Sequence, residues 1–484
     1  MNQKSVFKFI KNNLLLILLI VLFSFFFFFR LDYLTLTSWD EGWYASISRE
    51  MVKTGDFINM IWNGRPYYDH PPMGFWLMAI SYKLFGINEL ATRLPSAIMG
   101  LLSIILIYKV AVELFDKKVI GFIAALIMGT SVWYTIRVRS GNLESVFVFF
   151  YILAIYLSIK SSKNFKWFPL TMAAFGGLIL SKTLVGFSAI IPILFINLSQ
   201  LIKIKKNFVY IVFGVITLIL VAYPWYYIHI QKYPRFLEEH FMNIGARNKT
   251  LTSFFQLNPV LPLFYLHMGV RKWYYLWILG LGFLTVSFKF IRKNVFFLLL
   301  WNAVILYPFL TTNKTHIWHL IPVYLPMSLI TAVGIYNLGE FFSAIIKKIK
   351  PIKKILKPYL ISLFYLISFA VIAYVQIKIF YKEVIPMSRY TPDDVDISKR
   401  AGKYNKPIYL DDDFLPIAVF YTGKNPVPLI SLPDEKKTMV KFFQSDEEDF
   451  IMITRNWAVN NLDVENVPYK ILEKNNSFSI VTKP

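Results

Sequence analysis

The stretch Phe208 to Ile228 reads FVYIVFGVITLILVAYPWYYI, 21 residues without a single charge. Wound as an α-helix, it is long enough to cross a bilayer hydrocarbon core of roughly 30 Å. Lipid offers no partner to an open backbone N–H or C=O, so such a run is a helix and not an isolated strand. Leu14 to Phe29 (LLLILLIVLFSFFFFF) and Tyr359 to Ile379 read the same way. With 56% hydrophobic and 18% aromatic residues over 484 positions, the chain is too apolar to be an ordinary soluble protein. Its solvent is lipid.

Hydropathy gives about eleven spans. They centre near residues 21, 102, 127, 151, 174, 193, 218, 281, 303, 328 and 369, with a short amphipathic or re-entrant piece at Phe75 to Phe85. Lys4, Lys8 and Lys11 precede the first run, but no small-residue cleavage site follows Phe29, so this segment reads as a retained span and not a leader. The formal charge of +23 does not describe a nucleic-acid binder, because the lysines sit in short clusters between apolar runs. Those clusters occupy alternate loops: Lys117-Lys118, Lys160/Lys163/Lys166, Lys203/Lys205/Lys206, Lys289/Arg292/Lys293 and Lys347 to Lys357. The positive-inside rule then puts the N-terminus in the cytoplasm and makes the protein a multi-pass component of the cytoplasmic (inner) membrane. Cysteine is absent, which removes disulfides and thiolate chemistry together.

The expected architecture is mainly α: a polytopic helical bundle over residues 1–382 with an outside loop at 30–91, and a small extracytoplasmic α/β domain over 383–484. In the latter, charges and prolines increase and β-like runs occur at Pro407 to Leu410, Ala418 to Tyr421, Phe450 to Thr454 and Phe478 to Val481.

Nearly every polar group able to do chemistry falls on the outer side. Asp40-Glu41, between Trp39 and Gly42-Trp43-Tyr44-Ala45, offers a carboxylate that can take a proton from a hydroxyl. Tyr68-Asp69-His70-Pro71-Pro72 ends the same loop, its proline pair fixing an extended approach to the next apolar stretch. Arg93, Lys182, Arg247 and Lys314 stand at span ends or in outside loops. A half-buried cation there either snorkels to headgroups or meets an anion; four on one face favour a phosphate. His316 and His319 are spaced for a metal only if carboxylates converge on them, and an interfacial hydrogen-bonding role is the better reading. Neither a phosphate loop nor a dinucleotide fingerprint occurs, so no nucleotide donor is indicated.

The ordered fragments are these: Trp39-Asp40-Glu41 with Tyr44-Ala45 and Arg49-Glu50-Met51; His70-Pro71-Pro72; Arg93-Leu94-Pro95; Arg139 with Asn142-Leu143-Glu144; Ser181-Lys182; Pro224-Trp225-Tyr226 and Arg247; Lys314 with His319-Leu320-Ile321-Pro322. In order and spacing the chain resembles the lipid-linked-sugar glycosyltransferases of the GT-C type, in the bacterial branch related to protein O-mannosyltransferases and the lipid A aminoarabinose transferase. The resemblance implies a polyprenyl-phosphate sugar donor and inverting transfer to an acceptor hydroxyl of a lipid, glycan or protein outside the membrane, with no metal or other cofactor. It implies Asp40 and Glu41 as the catalytic acidic pair. It implies Arg93 as a donor-phosphate residue, with Lys182, Arg247, Lys314 and His70 as further phosphate-side candidates. Glu144, Asn142, Tyr44 and His319 are then candidates for positioning acceptor or sugar. Two positions depart from the pattern, since family members often carry lysine where His70 stands and aspartate where Glu144 stands. A transporter or flippase for a lipid-linked or anionic solute is the competing reading. It expects charges near the bilayer midplane and broken spans.

Overall fold

The computed structural model describes residues 3–36, 39–245, 255–286, 293–312, 314–348 and 392–484, with scattered positions between 367 and 382. Ten of the eleven expected span centres fall inside helices; the one near 369 lies outside the described residues. Among the described residues, six helical segments are long and apolar enough to cross a membrane: Glu89–Phe115 (α4), Glu144–Lys163 (α7), Leu184–Leu201, Ile204–Lys232, Lys293–Leu310 and Ile317–Phe341. A seventh span forms if Lys118–Gly129 (α5) and Val132–Val138 (α6), bent by 73° at the break, are taken together. The centres near 21, 174 and 281 fall on apolar helices of 10–17 residues, Asn12–Phe28, within Gln3–Phe28 (α1), Phe165–Ile179 and Trp273–Leu284, so six or seven long spans stand among the described residues where eleven were expected. Apolar runs predict where a helix sits better than how long it stays straight.

α4 packs against both α7 and α5. Polar groups separate to the two ends of this core. Near the far end of α4, Glu113 takes both Lys160 and Lys163 of α7, the latter at 2.6 Å. At the other end, Arg93 of α4 and Glu144 of α7 stand buried. One end is thus a lysine-rich surface and the other a closed polar cluster.

Across that cluster lies Trp39–Thr54 (α2), an amphipathic helix with acidic residues in its first turn, where they favour the positive helix terminus. Met73–Phe85 (α3) realises the short piece expected at Phe75 to Phe85 and packs on α2 and α4.

A hairpin of two-residue strands, Ile61–Trp62 (β1) with Arg65–Pro66 (β2), follows α2, and the C-terminal unit is a five-stranded sheet. Ile408–Asp411 (β3) pairs in parallel with Val427–Pro428 (β4) and Ile451–Arg455 (β5). Antiparallel Phe478–Thr482 (β7) and then Lys470–Lys474 (β6) extend it, giving the order β4-β3-β5-β7-β6. The run Ala418 to Tyr421, expected as a strand, is instead part of a helix, Leu415–Thr422. Pro416 sits in its first turn and Gly423, at φ 70°, ends it in the left-handed conformation that glycine adopts without strain. A short apolar run has no periodicity to separate helix from strand, and here these flanking residues decide.

This helix fastens the unit to the bundle. Buried Arg49 of α2 donates from Nη1 to the carbonyls of Val419 and Phe420 at 2.8 and 2.6 Å. Tyr421 donates to Glu89 at 2.8 Å while its oxygen accepts from the Leu36 N–H, also at 2.8 Å. Gly42 permits the approach: a Cβ there would stand 2.9 Å from Ile417 Cδ1 and 3.0 Å from the Pro416 carbonyl carbon.

Candidate active site

Four segments distant in sequence meet at the first turn of α2. The Met73 N–H donates to the Leu180 carbonyl at 3.0 Å, drawing the His70-Pro71-Pro72 corner to the turn that carries Lys182. Glu41 accepts the Gly141 N–H at 2.9 Å, tying α2 to the turn between α6 and α7. Gly141 is pressed so closely on α4 that a Cβ would lie 2.4 Å from Thr92 Cγ2. Only glycine fits there.

Glu41 and Arg93 form a closed unit. Glu41 is fully buried, and Arg93 Nε donates to its Oε1 at 2.7 Å and Nη2 to its Oε2 at 3.3 Å. The other guanidinium hydrogens go to the carbonyls of Leu31, Leu34 and Thr35 at 2.9, 2.7 and 2.7 Å. All five donors of the guanidinium are engaged with protein, and none is left for a phosphate. Glu41, expected from sequence as part of the catalytic acidic pair, and Arg93, expected as a donor-phosphate ligand, here close on each other and hold the loop before α2 in place. Arg139 acts similarly, donating to the carbonyls of Phe26, Phe27 and Phe29 at the end of α1. Those are among the carbonyls a helix terminus leaves unpaired. Burial, followed by the charge of Arg93, holds the Arg139 pKa down at about 10.

Asp40, one residue earlier, is the open counterpart. Its side chain is 21% exposed and Oδ2 accepts from Arg137 Nη2 at 3.2 Å. Burial raises its pKa above the ordinary carboxylate value; Arg137 pulls it down, and the charge of Glu144 adds to the rise. Arg137 is buried, its guanidinium 4.6 Å from the Trp318 ring centre and 5.8 Å from that of Trp133. Its Nε has no described partner. Beside this pair, Lys182 Nζ donates to Glu144 Oε1 at 3.2 Å, and Glu144 Oε2 is buried without a described partner. Asp40, Arg137, Glu144 and Lys182 thus form a cluster of two acids and two cations at the first turn of α2 and the helix ends that face it.

Tyr44, one turn after Asp40, is buried against His70 and Phe75, ring centres 5.8 and 5.5 Å away. Burial, then the charge of Asp40, pushes its phenol pKa well up, so it stays a hydrogen-bond donor. His70 Nδ1 shares a 2.7 Å hydrogen bond with the Tyr67 hydroxyl. Asp69 next to it is pushed up to about 6, by burial first and the charge of Glu239 second. Asn142 is a turn residue: its side chain donates to Ser140 Oγ at 2.6 Å, and its Oδ1 accepts the Glu144 N–H at 3.3 Å. His319 accepts the His316 N–H at 3.1 Å and lies by Trp318, the residue that carries Arg137 on its face. Lys314 is exposed. Arg247 lies outside the described residues. No cluster of three metal-ligating side chains occurs among the described residues.

Arg137 is the residue that sequence reading passed over. Its signal was a cation two positions before Arg139, at the end of an apolar segment.

Residues 69–227 match the family described as dolichyl-phosphate-mannose-protein mannosyltransferase. Over 304 residues the chain is 29% identical to the undecaprenyl phosphate-alpha-4-amino-4-deoxy-L-arabinose arabinosyl transferase 2 of Proteus mirabilis, covering 58% of this chain and 52% of that one. The chain thus spans about half the length of this curated relative. The structure of ArnT from Cupriavidus metallidurans bound to undecaprenyl phosphate superposes with a TM-score of 0.66 at 18% identity, covering 97% of this chain and 98% of that one. The archaeal oligosaccharyltransferase AglB from Archaeoglobus fulgidus, in complex with an inhibitory peptide and a dolichol-phosphate, gives 0.56 at 12% identity over 95% and 69%. The fold is that of the GT-C membrane glycosyltransferases, and the chain is a multi-pass membrane protein. In sequence it is similar to the protein mannosyltransferase family over residues 69–227 and to the aminoarabinose transferases over about half its length.

Proposed function

We propose that this protein is a membrane glycosyltransferase that moves a sugar from a polyprenyl-phosphate donor to an acceptor hydroxyl, with Asp40 as the general base. The observation that carries the reading is the half-open Asp40 carboxylate, held 3.2 Å from Arg137 beside the Glu144–Lys182 pair. The acceptor O–H gives its proton to Asp40 as its oxygen attacks the anomeric carbon. The bond from that carbon to the phosphate oxygen breaks, and polyprenyl phosphate departs with the electron pair. Attack opposite the leaving group inverts the anomeric centre. Charge developing on the leaving phosphate is offset by Lys182, with Lys314, Arg247 and His70 as further candidates along the donor path.

Arg137 keeps Asp40 ionised and aimed, while Tyr44, Glu144 and His319 line the acceptor side. Arg93, Glu41 and Asn142 position the segments that carry these groups. The site belongs to the non-cytoplasmic face of the cytoplasmic (inner) membrane, opposite the lysine-rich end of α4 and α7. On this reading residues 1–382 form the transferase domain, and residues 383–484 an extracytoplasmic domain over it. A transporter would carry its charges along the middle of the spans. Here Asp40, Glu144 and Lys182 stand at the ends of helical segments.

The test supplies purified protein with a panel of radiolabelled polyprenyl-phosphate sugars and an envelope extract, and in parallel follows the same lipids across reconstituted vesicles. Label appearing in an acceptor supports the transferase. Movement of donor across vesicles without any transfer contradicts it.

A further inference from the structure

The chain leaves β3 toward β4 on one side and returns to β5 on the other, so the parallel part of the C-terminal sheet reverses its winding between β3 and β5. In open α/β sheets the crevice at the carboxyl ends of strands flanking such a reversal is where ligands bind. A cleft of about 730 Å³ lies at this position, lined by Asp411 and Asp412 at the end of β3, by Arg455 and Trp457 at the end of β5, and by Thr438 and Asn461. None of these residues enters the site around Asp40.

The lining indicates what the cleft takes. Its cations are already neutralised: Arg455 pairs with Asp412, and Lys437 with Asp434 at 2.6 Å. An anionic ligand would have to break those pairs. Trp457 is 71% exposed, a flat apolar surface left open beside hydroxyl, amide and carboxylate groups. Asp411, held by the Thr454 hydroxyl at 2.9 Å, retains lone pairs for further donors. A pyranose ring presents just this combination, an apolar C–H face for the indole and hydroxyls that both donate and accept.

We propose that this cleft is a carbohydrate-binding site for the neutral sugar residues of a glycan, separate from the site of transfer. The turn that leaves the cleft after Asp411 leads into the helix Leu415–Thr422, which packs on α2. A glycan held here sits beside the turn that leads into the helix packed on α2.

The experiment is calorimetric titration of the purified full-length protein in detergent with mannotriose, chitotriose and cellotriose, and with glucose 1-phosphate and inorganic phosphate as the anionic arm. At least one neutral trisaccharide binds, Trp457→Ala weakens it about tenfold or more, and Trp457→Phe retains most of the affinity. Because Trp457 is largely exposed, its truncation leaves thermal stability unchanged, and a melting curve on each variant verifies this. Asp40→Asn binds the same sugar as the wild type, so loss of transfer and loss of this binding are separate outcomes. The proposal is overturned if no neutral trisaccharide binds, if the anionic probes bind instead, or if Trp457→Ala binds as tightly as the wild type.

Discussion

Asp40 and Glu41 are neighbours in one helical turn, each faces an arginine, and the two pairs are built to opposite ends. Glu41 is sealed: both oxygens are occupied by Arg93 and Gly141, and Arg93 spends its remaining donors on the carbonyls of the loop before α2. Asp40 is left partly open, touched by a single arm of Arg137. A carboxylate whose lone pairs are all taken can hold a fold but cannot receive a proton from a substrate. On the proposed function, the difference separates an anchor, Glu41, from the proposed base, Asp40, within two residues.

The largest effect expected from breaking this comparison is on catalysis. Asp40→Asn lowers transfer by about 10²–10⁴-fold, the usual contribution of a general base, while the thermal midpoint remains that of the wild type. Glu41→Gln does the reverse in origin. It leaves Arg93 buried without its counter-charge and destabilises the protein by about 3–5 kcal/mol, read as a lowered melting temperature and poor recovery from membranes. Gly42→Val, on the same turn, drives a side chain against Ile417 and loosens the C-terminal unit by about 1–3 kcal/mol, read as faster proteolysis in that unit.

Removing the partner of Asp40 sharpens the comparison through pH. The base works ionised, so activity rises with pH through the Asp40 pKa. Burial holds that value above the ordinary range, and Arg137 restrains the rise. Arg137→Gln therefore moves the acid limb of the rate profile to higher pH. Asp69, pushed up to about 6, lies close enough to mimic such a limb, and Asp69→Asn leaving the limb in place assigns it to Asp40. The smallest effect is at Lys314, which is exposed: Lys314→Ala costs about 0–1 kcal/mol, a few-fold in the apparent donor affinity, and the deficit shrinks as salt is added.

The spans were legible because an uncharged apolar run can only be a helix in lipid. The loops with Asp40 and His70 and with Lys182 were legible because polar groups there stand out against that background. The division of labour was not. Glu41 and Arg93 are 52 residues apart, and Asp40 and Arg137 97 apart, so which acid is sealed depends on contacts that local pattern does not encode. For the same reason Arg93 read as a phosphate ligand, although its five donors close on the protein itself. The Leu415–Thr422 helix escaped because eight apolar-rich residues carry no helical period and take their conformation from flanking Pro416 and Gly423 and from packing on α2.

The most direct test of the account is single-turnover sugar transfer by Asp40→Asn, normalised to the amount of folded protein from its melting curve and compared with wild type at saturating donor. The account predicts a protein that melts with the wild type and transfers at least about 10²-fold more slowly. Transfer within a few-fold of wild type by folded Asp40→Asn protein would contradict it and return the search for the base to Glu144 and Asp69.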